Sequence, residues 1–124
     1  MSNEPAQVRL RRAVQEYYDA LDRGEVDEIL RDFSGDVLYR RPGYAPIRGL
    51  SKLRDYYEAD RKLEPGRHVI RAMVTEDSTV AAHGVYEGEL KDGGRTTMGF
   101  AAFFSFDASG RITEHTTYFF TPAV

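Results

Sequence analysis

The sequence contains no cysteine. That removes disulfides, thiolate zinc sites and cysteine nucleophiles from consideration, and it leaves the redox compartment open. Tryptophan is also absent. No apolar run reaches the length of a membrane span, and Met1 to Gln7 is polar, without the apolar core of a secretion signal. A cytoplasmic protein is the expectation. Positive charge is not in excess: the net charge is −3. The one cluster of basic residues, Arg9, Arg11 and Arg12, falls in a helical pattern as a solvated face, so a nucleic-acid partner is not expected. The three histidines have no close His/Asp/Glu spacing, which argues against a metal site. No phosphate-cradling glycine motif and no G-x-S-x-G nucleophile motif is present, so no cofactor is expected.

What remains is an ordinary globular composition over 124 residues, 41% hydrophobic and 30% charged. This fits one domain, residues 1–124, with a core of its own and without disorder. The eight tyrosines are the unusual feature, because a buried phenol needs a hydrogen-bond partner or a ligand.

Helical spacing comes first along the chain. From about Glu4 to Asp22, Leu10, Val14, Tyr17, Tyr18 and Leu21 share one face, and Gly24 stops the helix. Val26, Ile29, Leu30 and Phe33 make a second amphipathic stripe. Val37 to Arg40 reads as a short strand, followed by a loop rich in proline and glycine. A third helix is expected from about Leu50 to Leu63, ended by Pro65-Gly66, with Leu50, Leu53, Tyr56 and Tyr57 inward.

From Arg67 the period becomes two. Four strands are expected, about Arg67 to Glu76, Thr79 to Lys91, Arg95 to Phe106 and Arg111 to Thr121, separated by hairpin turns. Helices followed by strands give an α+β fold with a mainly antiparallel sheet. Alternation then assigns faces. His68, Ile70, Ala72 and Val74 form the inner face of the first long strand. Val80, Ala82, Gly84, Tyr86, Gly88 and Leu90 follow on the second, and Met98, Phe100, Ala102, Phe104 and Phe106 on the third. On the last strand Ile112, Glu114, Thr116, Tyr118 and Phe120 point inward, and His115 does not. A β-bulge would invert any of these assignments downstream of it.

Two titratable groups therefore fall on apolar strand faces, His68 and Glu114. An imidazole and a carboxylate on the concave side of a sheet suit proton-transfer chemistry. His68 is assigned as the base and Glu114, or a tyrosine, as its partner; the alternatives are a structural His68 held by a backbone carbonyl or Arg61, and a Glu114 paired with arginine. Tyr17, Tyr18, Tyr57, Tyr86 and Tyr118 supply candidate phenol donors, and Phe100 an apolar contact. Val37, Tyr39 and Arg41 share a face, which brings either Tyr39 or Arg41 to a cavity mouth. His83 and His115 are read as surface or dimer-interface residues, and Asp19 and Asp22 as solvated groups near a helix end. The apolar outer set Ala81, Val85, Ala101 and Phe103 points to a homodimer through the outer face of the sheet.

The run from Asp36 through Tyr39, Arg41 and Pro42 to Gly49 resembles the first-strand and loop motif of SnoaL-like proteins, within the nuclear transport factor 2-like superfamily. Gly110-Arg111-Ile112-Thr113-Glu114-His115 resembles the start of their last strand, and Tyr17-Tyr18-Asp19-Ala20-Leu21-Asp22-Arg23-Gly24 the end of their first helix. The resemblance spans nearly the whole chain. It implies a cone-shaped α+β barrel, three N-terminal helices on a strongly curved sheet, enclosing a cavity, usually in a homodimer. The superfamily includes polyketide cyclases, ketosteroid isomerases, scytalone dehydratase and limonene-epoxide hydrolase, which use acid–base chemistry without an organic cofactor, beside members that only bind or scaffold. The expected function is a cofactor-independent enzyme (cyclase, isomerase, dehydratase or ring-opening hydrolase) on a small, largely apolar polyketide- or terpenoid-like molecule. The alternatives are a non-catalytic small-molecule-binding protein and a dimerisation domain whose cavity is filled by its own aromatics.

Overall fold

The computed structural model describes residues 5–60, 66–90 and 92–120. The expected element ends at Glu4, Leu63, Pro65, Lys91 and Thr121, and Arg61 as a partner for His68, lie outside the described residues.

Helix α1 (Ala6–Arg23) buries Val14, Tyr17, Tyr18, Ala20 and Leu21, the stripe that helical spacing sets on one side. It ends at Gly24, whose φ of 72° is the left-handed conformation that glycine adopts without steric cost. Helix α2 is only Val26–Leu30. Phe33, expected to continue its stripe, instead opens strand β1 (Phe33–Arg40). So short a helix has little stability of its own. Pairing of Phe33 with Ile112 on the last strand fixes it in extended form, with its ring 5.6 Å from that of Tyr17.

Strand β2 (Ile47–Arg48) returns along β1, and helix α3 (Leu50–Asp55) runs on into a π-helical turn, Tyr56–Asp60. Strands β3 (Arg67–Glu76), β4 (Thr79–Glu89), β5 (Arg95–Phe106) and β6 (Ile112–Phe119) complete a six-stranded sheet in the order β2-β1-β6-β5-β4-β3. All neighbours are antiparallel except β1 and β6. With β2 and β3 as free edges the sheet is curved but not closed, so the expected barrel is an open one. The helices cover its concave side, where one apolar cluster joins α1 and α2 to β1, β4 and β5.

Two bulges decide which side chains face that cluster. On β3 the register slips between Ile70 and Ala72. Beyond it Met73 is half-buried and Val74, expected inside, is 65% exposed. A β carbon on Gly84 would run into the Val69 carbonyl oxygen, so the close approach of β3 and β4 at this bend requires glycine. On β6 the partners change from Phe106–Ile112 to Ser105–Glu114, leaving Thr113 as the extra residue. The turn before it is set by Asp107, whose carboxylate accepts the N–H groups of Ser109 (2.9 Å) and Arg111 (3.0 Å). The bulge reverses every later residue of β6. Glu114, Tyr118 and Phe120 face outward, against the alternation expected for them; His115, Thr117 and Phe119 face inward. Strands β4 and β5 contain no slip between them, and there the alternation holds along their length.

Candidate active site

The inward faces of α1, the π-helical turn and strands β1, β3, β4, β5 and β6 converge on one cavity. Tyr17, Tyr18, Tyr39, Tyr56, Tyr57 and Tyr86 line it with Arg41, His68, Phe100, His115 and Thr117. These side chains leave a cavity of only about 30 Å³. That is room for one or two waters, so a larger guest requires aromatic side chains to turn aside.

His68 enters from β3. Its ring Nδ1 lies 2.6 Å from an Asp22 carboxylate oxygen, and its backbone N–H donates to both oxygens of the same carboxylate, at 3.0 and 3.1 Å. The imidazole side chain is only 8% exposed, held among the rings of Tyr86, Tyr18 and Phe100 at centroid distances of 4.8, 5.2 and 5.6 Å. A carboxylate only accepts, so Nδ1–H donates to Asp22, and in the neutral ring the lone pair is then on Nε2. The sequence suggests a solvated Asp22, but the last turn of α1 carries it over the start of β3. Glu114, assigned as the carboxylate partner of His68, is on the outer face because of the Thr113 bulge. A signal for Asp22 did exist. It lies one residue after Leu21 and four after Tyr18, at the margin of the buried stripe.

His115, read as a surface residue, is completely buried. Its ring stacks on Phe104 at 4.1 Å and 16°, and Tyr39 and Tyr17 lie 4.9 and 5.1 Å away. Nε2 is 3.1 Å from the Thr117 hydroxyl. Burial lowers its pKa from the ordinary 6.5 to about 3, so the ring is neutral at working pH. Its Nδ1 has no partner.

The tyrosines form pairs rather than a uniform lining. The hydroxyls of Tyr17 and Tyr57 are 2.5 Å apart, and Arg41 donates through Nη1 to the Tyr56 hydroxyl. The wider π-helical turn brings adjacent Tyr56 and Tyr57 both into the wall, a distortion that often marks functional sites. The Tyr18 hydroxyl is buried with no partner. Burial, with smaller contributions from neighbouring tyrosines, raises the Tyr18 and Tyr57 phenols well above their ordinary range, so both are protonated donors. Tyr118 is 55% exposed and takes no part; it packs edge-on against Phe103 on the outer face, ring centroids 6.2 Å apart. His83 is exposed there too.

Together these residues can hold a small molecule, take a proton at His68 Nε2 and offer phenol hydrogens to an oxygen. No cluster of metal-binding groups occurs among the described residues, and none of the described helices is long and apolar enough to cross a membrane.

No curated protein matches the sequence. Solved structures match its fold. An LEH-like epoxide hydrolase of M. tuberculosis superposes with a TM-score of 0.80 over 93% of this chain and 85% of that one, at 21% identity. SalBIII, an epoxide hydrolase/cyclase-like enzyme of pyran ring formation in the polyether salinomycin, gives 0.79 over 90% and 91%, at 17%. A ketosteroid isomerase-like protein from Erwinia carotovora atroseptica gives 0.74 over 98% and 100%, at 19%. At these identities the likeness establishes the fold alone. The sequence profile of the SnoaL-like domain matches residues 14–115, from the buried stripe of α1 to the inward histidine of β6, and on that match the chain belongs to the SnoaL-like domain family.

Proposed function

We propose that this protein is a cofactor-independent acid–base enzyme that isomerises, dehydrates, cyclises or ring-opens a small, largely apolar molecule in the tyrosine-lined cavity. It works as a cytoplasmic homodimer. The observation that carries this reading is the contact of Asp22 with His68, whose ring lines the cavity. Asp22 holds the imidazole by its ring and by its backbone, so Nε2 is presented to the cavity side as a base. In the reaction Nε2 takes a proton from a substrate carbon or from water. A tyrosine hydroxyl donates to the substrate oxygen on which negative charge develops, and the imidazolium, stabilised by Asp22, returns the proton to the product or to a leaving hydroxyl. The epoxide hydrolase and cyclase-like enzymes of similar fold lend support to ring opening and ring closure among these reactions.

The narrow interior favours one other reading, a dimerisation domain with a self-filled core. A self-filled core, however, satisfies its own polar groups. Here the Tyr18 hydroxyl, the Arg41 Nε and the His115 Nδ1 are buried around one cavity without a partner, which favours a wall that meets a guest.

The test is a panel of small cyclic ketones, β-hydroxyketones and epoxides followed by NMR in D2O. The wild-type protein should turn over or exchange protons on at least one of them. His68→Gln should lose about 10²–10⁴ of that rate. A substrate consumed equally fast by His68→Gln ends the proposal.

A further inference from the structure

Among the described residues the cavity wall contains one guanidinium, and no carboxylate pairs with it. Arg41 follows β1, on the same face as Tyr39, and the residue is 6% exposed. Among the described residues no carboxylate reaches it. It donates through Nη1 to the Tyr56 hydroxyl, and its guanidinium carbon lies 4.8, 5.5 and 5.7 Å from the ring centres of Tyr44, Tyr56 and Phe119. Aromatic faces attract a cation but do not replace its hydrogen bonds. The Nε atom is fully buried and unpartnered. Nε and Nη2 form the side of a guanidinium that grips a carboxylate through two parallel N–H···O bonds.

The position adds a direction. Arg41 and Tyr56 line the inner cavity, and the same two residues line an outer cleft of about 640 Å³ with Tyr44, Lys52 and Asp55. The guanidinium therefore stands at the boundary between a narrow interior and a roomier entrance. A buried guanidinium without a counter-charge is costly, and a ligand that supplies the charge recovers that cost on binding.

We propose that Arg41 is a carboxylate-binding subsite, so that the molecule taken by this cavity is a small aromatic or alicyclic carboxylate whose ring is directed toward His68. The proposal rests on the cavity being a small-molecule site, and not on its being catalytic. A phosphate dianion fits less well. It calls for more than one cation, whereas in the inner cavity His68 is engaged by Asp22 and His115 is held neutral, and Lys52 lines only the outer cleft.

Binding alone tests it, with phenylacetate, its uncharged isostere phenylacetamide and inorganic phosphate titrated into the intact protein and followed by NMR. Phenylacetate should bind at least about tenfold more tightly than phenylacetamide, and phosphate no better than the amide. Arg41→Met should bring phenylacetate down to the level of the amide, and Arg41→Lys should retain only part of the preference. The exposed neighbour Arg40→Gln should keep all of it. Because the readout is the ratio of two ligands on one folded protein, a change in stability does not imitate the effect. The assignment is overturned if neither ring compound binds by about 20 mM, if acid and amide bind equally, if phosphate binds best, or if the preference survives Arg41→Met. A failure of His68→Gln to slow turnover would end the catalytic reading and leave this ratio as it is.

Discussion

One carboxylate, that of Asp22, binds His68 three times: at the ring Nδ1, 2.6 Å away, and twice at the backbone N–H, 3.0 and 3.1 Å away. The side chain at the end of α1 thus closes the first residues of β3 onto the helix while it orients the imidazole. Under the proposed function a structural and a chemical role coincide in this one group, and substitution separates them.

Asp22→Asn keeps an acceptor for the backbone N–H and removes the charge that stabilises the imidazolium. Turnover should fall by about 10²–10⁴, with a stability loss of no more than about 1–2 kcal/mol. Asp22→Ala loses both contacts and should cost about 1–3 kcal/mol by denaturant titration. Equal activity in wild type and Asp22→Asn would show that the pair only ties β3 to α1.

His115 makes stability depend on pH. Its folded pKa of about 3 lies below the 6.5 of the unfolded chain. Between those values the unfolded state binds the extra proton, so stability is full above about 6.5 and is lost as the pH falls toward 3. The slope approaches about 1.4 kcal/mol per pH unit in that window. His115→Phe, which can keep the stack on Phe104, should flatten the curve of Tm against pH between roughly 6.5 and 4. Parallel curves for the two proteins would contradict the buried, neutral assignment.

The outer face of the sheet carries Val74, Phe103, Tyr118 and Phe120 as exposed large apolar groups. Val74, Tyr118 and Phe120 join this set only through the bulges, which makes the face more apolar than the alternation suggests. We expect light scattering after size exclusion to give a dimer at micromolar concentration, and Phe103→Glu to give a monomer that still folds. A wild-type monomer over that range disposes of the dimer.

The sequence reveals what is periodic and hides what interrupts the period. Strands β4 and β5 pair without a slip, so Tyr86 and Phe100 were placed by alternation alone. His68 was placed too, because it precedes the Ile70/Ala72 bulge. Glu114, Tyr118 and His115 were inverted by one extra residue, Thr113, and no residue type there marks it in advance. Phe33 was assigned to a helix by spacing that its pairing with Ile112 overrode. Arg41 follows from alternation too, on the face of Val37 and Tyr39. Asp22 belongs to another class: its contact joins distant segments, and periodicity records only that it borders the buried stripe, not which backbone N–H it meets.

Tyr18 offers the sharpest separation of function from stability. Its ring packs at 5.0 to 5.3 Å from Tyr17, His68 and Phe100, while its hydroxyl is buried without a partner. Burial raises its pKa well above the ordinary range, so the phenol is a permanent donor. Tyr18→Phe removes only that donor. A buried polar group without a bond costs about 1–3 kcal/mol, so the substitution should leave stability unchanged or raise it by on the order of 1 kcal/mol, visible as a few degrees in Tm. If the hydroxyl serves a guest oxygen, the same variant should lose about tenfold or more in turnover on any substrate found, since the donor then acts where charge develops. More stable and less active is the signature of a group retained for chemistry. A Tyr18→Phe protein that melts several degrees lower and works at the wild-type rate would make Tyr18 an ordinary core residue, and would move the donor role to the bonded pair Tyr17 and Tyr57.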